Sequence, residues 1–202
     1  MRPSRRDIII ATRKSHLATT QSRGVGEAIL RLNPRVSMRL VEIESEGDRV
    51  LDHPLAAIGG KGLFTRAIEL ALLSNRADIA VHSLKDMPTD VTPGLVTVAT
   101  PRRLPVHDVL IARDTEDLPR GAKLGTCSKR RAAQALRIRP DLKIVPLRGN
   151  VETRIRKVMQ DGEVDATMLA AAGLTRLGMN EYLTKPIPVE QMLPAVGQAA
   201  LA

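Results

Sequence analysis

Aromatic residues are almost missing from this 202-residue chain: one Phe, one Tyr and no Trp. Stacking platforms for nucleotide bases are therefore nearly absent, which argues against a single-strand nucleic-acid binder. Only one cysteine is present, Cys127. That excludes a disulfide framework and suits a reducing, cytoplasmic setting. No apolar run approaches the roughly 18 residues of a membrane span. The start, MRPSRRDIIIATRKS, is basic, but its apolar stretch is too short for a secretory signal. Four His, with no paired Cys and no clustered carboxylates, give no metal-ligand spacing, so no metal is expected.

What is abundant is positive charge. Lys and Arg number 31 against 22 Asp and Glu, a net charge of +9. Partners of opposite sign are implied, whether phosphates, polycarboxylates or nucleic acid. Arg dominates, and its planar fork suits carboxylate and phosphate. Hydrophobic content of 43% and charged content of 26% are those of a globular protein with a real core.

Periodicity predicts an alternation of strands and helices. Strands are expected at 7–11 (DIIIA), 37–43, 79–83, 95–99 (LVTVA), 108–112, 123–125, 143–146 and 166–170. Helices are expected from Ser15 to near Asn33, around Phe64, Ala67, Ile68, Ala71 and Leu72, over 128–137, and over 151–159 behind an Asn150 cap. Between them, 44–62 reads as a long Gly-containing loop. The pattern implies parallel or mixed sheets in two α/β domains. Domain 1 is expected at 1–100, with 194–202 returning to it, and domain 2 at 101–193, after a basic, Pro-flanked crossing at Pro101–Pro105. Residues 193–202 (LPAVGQAALA) read as a chain entering another strand.

Cations and hydroxyls recur where strands give way to helices. Ala11-Thr12-Arg13-Lys14-Ser15 follows the first strand, and Gly125-Thr126-Cys127-Ser128-Lys129-Arg130-Arg131 follows a later one. Leu147-Arg148-Gly149-Asn150 precedes a helix that carries Arg154 one turn in. Helix N-termini offer free N–H groups and partial positive charge, and side chains lean back toward them. His82-Ser83-Leu84-Lys85-Asp86 ends a fourth strand, where open α/β sheets bind ligands. Together these predict one cleft for a ligand with several negative charges, with solvated turn residues as the plain alternative. Gly59-Gly60-Lys61-Gly62 lacks the Ser/Thr and the earlier Gly of a phosphate-binding P-loop, so a backbone-approach role is preferred. Cys127 reads as a small helix-entry residue, with no His nearby in sequence to make it a nucleophile.

Six segments in order resemble the hydroxymethylbilane synthase (porphobilinogen deaminase) family of tetrapyrrole and heme biosynthesis. They are ATRKSHLATTQ (11–21), the stretch from GDRVLDHP to HSLKDMPT (47–89), GTCSKRR (125–131), LRGNVETR (147–154), AAAGLTRLG (170–178) and LPAVGQAALA (193–202). The resemblance implies a transferase that joins porphobilinogen units and releases ammonia, its product hanging from a cysteine-tethered dipyrromethane cofactor. It implies two periplasmic-binding-protein-like α/β domains with a cleft between them, in a cytoplasmic monomer. Asp86 matches the catalytic carboxylate. Lys85, Ser83, Arg130, Arg131, Ser128, Thr126, Arg148 and Gly149 match cofactor-binding positions. Arg13, Ser15, Arg148, Arg154 and Gln198 match substrate-binding ones, and Gln21 also lies in a family motif. The family's third α/β domain, with its cofactor-attaching cysteine, is expected to be absent, leaving an incomplete form. Cys127 replaces a Ser, Lys129 an apolar residue and Ala199 a Gly of the family pattern. The alternative is a non-catalytic two-domain binder of anionic small molecules. Asp86 discriminates, since a carboxylate gives nothing to a protein that only binds anions.

Overall fold

The structure, a computed structural model, describes residues 6–45, 65–90, 92–113 and 118–202. The chain divides into two compact units, Met1–Arg103 with Ala200–Ala202, and Leu104–Ala199. Of the 194–202 stretch expected to return to the first unit, 200–202 lie there in this division and 194–199 with the second.

In the first unit β1 (Arg6–Arg13) is the central strand of a parallel sheet ordered β2-β1-β3 among the described residues, with β2 Val36–Ile43 and β3 Ile79–Ala80. Side chains alternate across a strand, so the run Ile8–Ala11 feeds both faces. Ile10, with Ile8 partly buried beside it, packs with Val81, Leu201 and Met38; Ala11, with Ile9, packs with Ile68 and Ala77. Helix α1 (His16–Leu32) begins at Ser15, whose hydroxyl accepts from Ala18 N at 3.3 Å. It lies close on the sheet because Gly26 lacks a side chain: a Cβ there would stand 2.0 Å from Met38 Sδ. Helix α2 (Arg66–Leu73) buries Ile68 and Ala71, the stripe read from the sequence.

The second unit holds a mixed sheet ordered β6-β5-β7-β4-β8. Its strands are β4 (Asp108–Ala112), β5 (Lys123–Gly125), β6 (Lys143–Val145), β7 (Ala166–Ala170) and β8 (Pro186–Ile187). β5 runs parallel to β6 and β7, whereas β4 is antiparallel to β7 and β8. Helix α4 (Val151–Met159) seals one face with Ile155 and Val158, among Val109, Ile111 and Leu169. Helix α3 (Lys129–Ile138) contributes Ala135 to the other face, among Leu124, Ala166 and Met168. Burying each such branched side chain contributes about 1.5–3 kcal/mol. A short helix α5 (Ala171–Arg176) follows β7 directly.

Two expectations are corrected. Residues 95–99 form no strand: Val96 and Val98 are 76% and 80% exposed, and among the described residues no edge pairs with them. Alternation alone does not make a strand without a partner. The strand expected at 79–83 ends at Ala80. Beyond it, His82 exchanges backbone hydrogen bonds with Ala202 and Leu84 N donates to Ala200 O instead, around an antiparallel bridge between Ser83 and Leu201. The loop expected at 44–62, with Gly59–Gly62, lies beyond Ser45 outside the described residues, as does Phe64. No described helix is long and apolar enough to cross a membrane.

Candidate functional site

In the first unit the candidate carboxylate and its lysine sit on a single 3-10 turn, Leu84–Asp86. Backbone bonds fix that turn at both ends. Leu84 N donates to Ala200 O at 3.0 Å, and Asp86 N donates to Ser83 O at 2.9 Å. Both Lys85 and Asp86 are exposed, while the residues that position them are not. Ser83 is held by buried Gln21 of α1, whose amide donates to the serine hydroxyl at 3.3 Å. His82 is buried among Glu69, Asp86 and Arg13. Burial pushes its imidazole below the ordinary 6.5, and Arg13 pushes the same way, against Glu69 and Asp86. The sequence reading passed over His82, although a His inside an apolar strand end just before Lys85-Asp86 was the available signal.

In the second unit, Thr126 and Ser128 shape the entry to α3. Thr126 N donates to Val145 O at 2.8 Å, extending the β5–β6 ladder. The Thr126 hydroxyl accepts from Ser128 N at 3.1 Å, and the Ser128 hydroxyl caps the helix by accepting from Arg131 N at 3.3 Å. Each oxygen already accepts, so each O–H remains as a donor for an anion. At the next strand-to-helix junction, Asn150 caps α4 by accepting from Thr153 N at 2.9 Å. Gly149 is obligatory: its φ is +119°, and a Cβ would stand 2.7 Å from Thr153 Cγ2. Arg154 Nε donates to Gly149 O at 2.7 Å, so it does lean back over its own helix entry. Arg148 is half-buried.

Arg130 and Arg131 share a partner within the protein. Both are engaged by Asp108, a carboxylate with no exposed surface. Arg131 grips it with Nε to Oδ2 at 3.0 Å and Nη2 to Oδ1 at 2.8 Å, while Arg130 Nη2 reaches Oδ2 at 2.9 Å. Gln198 Nε2 completes the set, donating to Oδ1 at 2.8 Å and to Val106 O at 2.7 Å. Gln198 is thus a buried amide in the second unit. Burial alone would raise the Asp108 pKa; the hydrogen bonds and charges of Arg131, then Arg130, outweigh it and hold the group at about 2. The sequence reading missed Asp108. The signal for it lay in α3, whose first turn carries Lys129, Arg130 and Arg131 and no acid. Cations at a helix N-terminus oppose its dipole and need a counter-ion from elsewhere.

Two further placements bear on the family pattern. Ala199 has φ +70°, the left-handed region, and its carbonyl accepts from Arg176 Nη2 at 2.6 Å. Cys127 is exposed, beside the capping Ser128. Among the described residues, no group of three or more His, Cys, Asp or Glu could hold a metal ion.

A family model described as "Porphobilinogen deaminase, dipyromethane cofactor binding domain" matches residues 8–202. The porphobilinogen deaminase of Desulforudis audaxviator is 50% identical over 200 residues, covering 98% of this chain and 64% of the relative. That of Syntrophus aciditrophicus is 50% identical over 195 residues, covering 95% of this chain and 63% of the relative. The chain thus spans a little under two thirds of the length of these curated relatives. Among solved structures, a TctC solute-binding protein from Polaromonas covers the whole chain and 78% of its own, with a TM-score of 0.49 and 12% identity. A likeness of that size carries nothing about function.

Proposed function

Because the chain belongs to the porphobilinogen deaminase family, we propose that it binds carboxylated pyrroles and serves the joining of porphobilinogen units with release of ammonia. The observation that carries this reading is the fixed turn bearing exposed Lys85 and Asp86, pinned through Ser83 to Gln21 and through Leu84 to Ala200. A rigid backbone under exposed, opposite charges is what positioned acid/base work requires.

The family model is named for a dipyrromethane cofactor, and the chemistry of the donor set fits one that bears carboxylates. Thr126 and Ser128 offer O–H donors at the entry to α3, Arg148 and Lys85 offer cations, and Gly149 lets the backbone come close. These residues would hold the cofactor's acid groups by charge-assisted hydrogen bonds. When bound, the cofactor supplies the pyrrole carbon that starts the growing chain. The one cysteine of this sequence is Cys127, a Ser position in the family motif, and we assign it no attachment role.

Arg13, Ser15 and Arg154 are proposed to hold the acetate and propionate of the incoming porphobilinogen. Asp86 is proposed to deliver a proton to its aminomethyl nitrogen as the C–N bond breaks. Ammonia leaves, and the cationic pyrrole that remains is stabilised by the same carboxylate until its carbon bonds to the next ring and a ring proton is lost. A cytoplasmic setting is what we infer, supported by the single cysteine, and a monomer is proposed from the family resemblance alone.

Titration of the chain with porphobilinogen in a calorimeter tests the binding part. Saturable binding, weakened by Arg148→Gln without loss of the folded circular-dichroism spectrum, is expected. A chain that takes up no porphobilinogen overturns the reading.

A further inference from the structure

The strand end that leads into the Lys85–Asp86 turn presents its side chains to two faces in alternation. Val81 packs with Ile10, Met38 and Leu201, whereas Ala80 packs with Ala11, Ile68 and Ala77. Ser83 continues the Val81 face, where Gln21 of α1 reaches it at 3.3 Å. His82 continues the Ala80 face, the one that Ile68 of α2 covers, and is only 8% exposed. Its backbone is paired both ways with Ala202: His82 N donates to Ala202 O at 2.7 Å, and its carbonyl accepts from Ala202 N at 2.9 Å. The imidazole is thus fixed at the root of the turn. Among the described residues, the charged groups that bear on it are Glu69 of α2, Asp86 of the turn and Arg13 at the end of β1. The 200–202 segment brings no ionisable side chain. Burial, with help from Arg13, keeps the ring neutral against the pull of the two carboxylates.

We propose that His82 is a positioning residue for ligand binding: its neutral ring, buried on the α2 face, holds the turn so that Lys85 and Asp86 meet the ligand, and a charged ring releases it. This rests on the functional reading above and adds a second support to the turn, opposite the Gln21–Ser83 bond. Two effects of opposite sign meet here. Through charge alone, a protonated imidazole would favour a ligand that bears two carboxylates. Through position, protonation disfavours the buried ring and with it the arrangement of the turn that the ligand uses. Position wins. Burial and Arg13 already outweigh Glu69 and Asp86, two anions of the protein itself. A ligand held at exposed Lys85, with solvent screening its charge, adds less to the ring than these do.

The test is porphobilinogen affinity, measured by calorimetric titration of the chain from pH 8 to pH 5.5 with a thermal melt of every sample. The ligand's carboxyls and amine keep their charge over that range. Wild-type affinity should fall about threefold or more as pH drops below 6.5. His82→Gln, neutral throughout, should show no such step, although the other three His remain. His82→Ala, which leaves the turn unsupported on the α2 face, should bind at least tenfold more weakly at pH 8. Where either variant fails to fold, the wild type decides by NMR of the His82 imidazole. Ligand binding and proton uptake are reciprocal, so saturating porphobilinogen should lower the ring's proton affinity by no less than the factor lost in the titration. A ring whose proton affinity instead rises reports charge acting without position, and overturns the proposal alone. Wild-type affinity in folded His82→Ala, or a pH step kept by His82→Gln, overturns it equally. No porphobilinogen binding by the wild-type chain overturns the functional reading and this one with it.

Discussion

The Leu84–Asp86 turn of the first unit and the entry to α3 in the second are made of the same materials: a hydroxyl, cations and an aspartate where a strand ends. They use them in opposite ways. Lys85 and Asp86 are neighbours in sequence and both exposed. Arg130 and Arg131 look equally available in sequence, yet a carboxylate from β4 holds both. Burial decides the difference. An exposed ion pair contributes about 0–1 kcal/mol and can be given over to a ligand, whereas a buried one cannot be broken cheaply.

The comparison breaks most visibly at Asp108. Replacing it with Asn leaves two guanidiniums facing a neutral amide inside the protein, and a loss of about 3–5 kcal/mol in stability is expected by denaturant titration. Asp86→Asn, at an exposed position, should leave the melting temperature nearly unchanged. Acid unfolding sharpens the same contrast. The folded-state pKa of Asp108 is lowered from 3.8 to about 2, so its contribution is present above pH 3.8 and lost as pH falls toward 2. The shift corresponds to roughly 2 kcal/mol. Following unfolding between pH 4 and 2 should show this loss in the wild type and not in the Asp108→Leu, Arg131→Met pair.

Next in size is catalysis. In a chain extended to the length of its curated relatives, Asp86→Asn should slow ammonia release by at least ~10²-fold, the lower range for removing a general acid/base. Near-normal turnover in a folded variant would make Asp86 a turn residue only.

Arg148→Gln should weaken porphobilinogen binding by about 1.5–3 kcal/mol, the range for a hydrogen bond to a charged group, with little change in melting. An equal loss of stability would instead move Arg148 into the class of Arg131.

The smallest effect concerns the junction after Gln198. Ala199 occupies a left-handed conformation, φ +70°, that costs an L-residue about 1–2 kcal/mol. Glycine removes that strain but adds chain entropy to the unfolded state, of roughly 0.5–1 kcal/mol. Ala199→Gly should therefore stabilise the chain by about 0.5–1 kcal/mol, read as a small rise in denaturation midpoint. The Gly that the resemblance places at this position has its reason in that φ value.

Read alone, the sequence determined whatever depends on neighbours within a turn or two. The apolar period located α2 and α4, and Ser15, Ser128 and Asn150 marked helix starts that the structure bears out with side-chain caps. The motifs, which need no coordinates, pointed to the family. Tertiary structure alone decided what depends on partners far along the chain. LVTVA has the alternation of a strand but met no edge among the described residues, and the strand after Asp78 gave up its ladder at Ala80, where the chain turned to pair with Ala200–Ala202. Asp108 meets Arg131 across 23 positions and Gln198 across 90. Periods and caps are local, so composition within a short window is enough to reveal them. Ion pairs and strand edges are chosen among all the residues that folding brings together, and a buried carboxylate binds whichever guanidinium arrives with it.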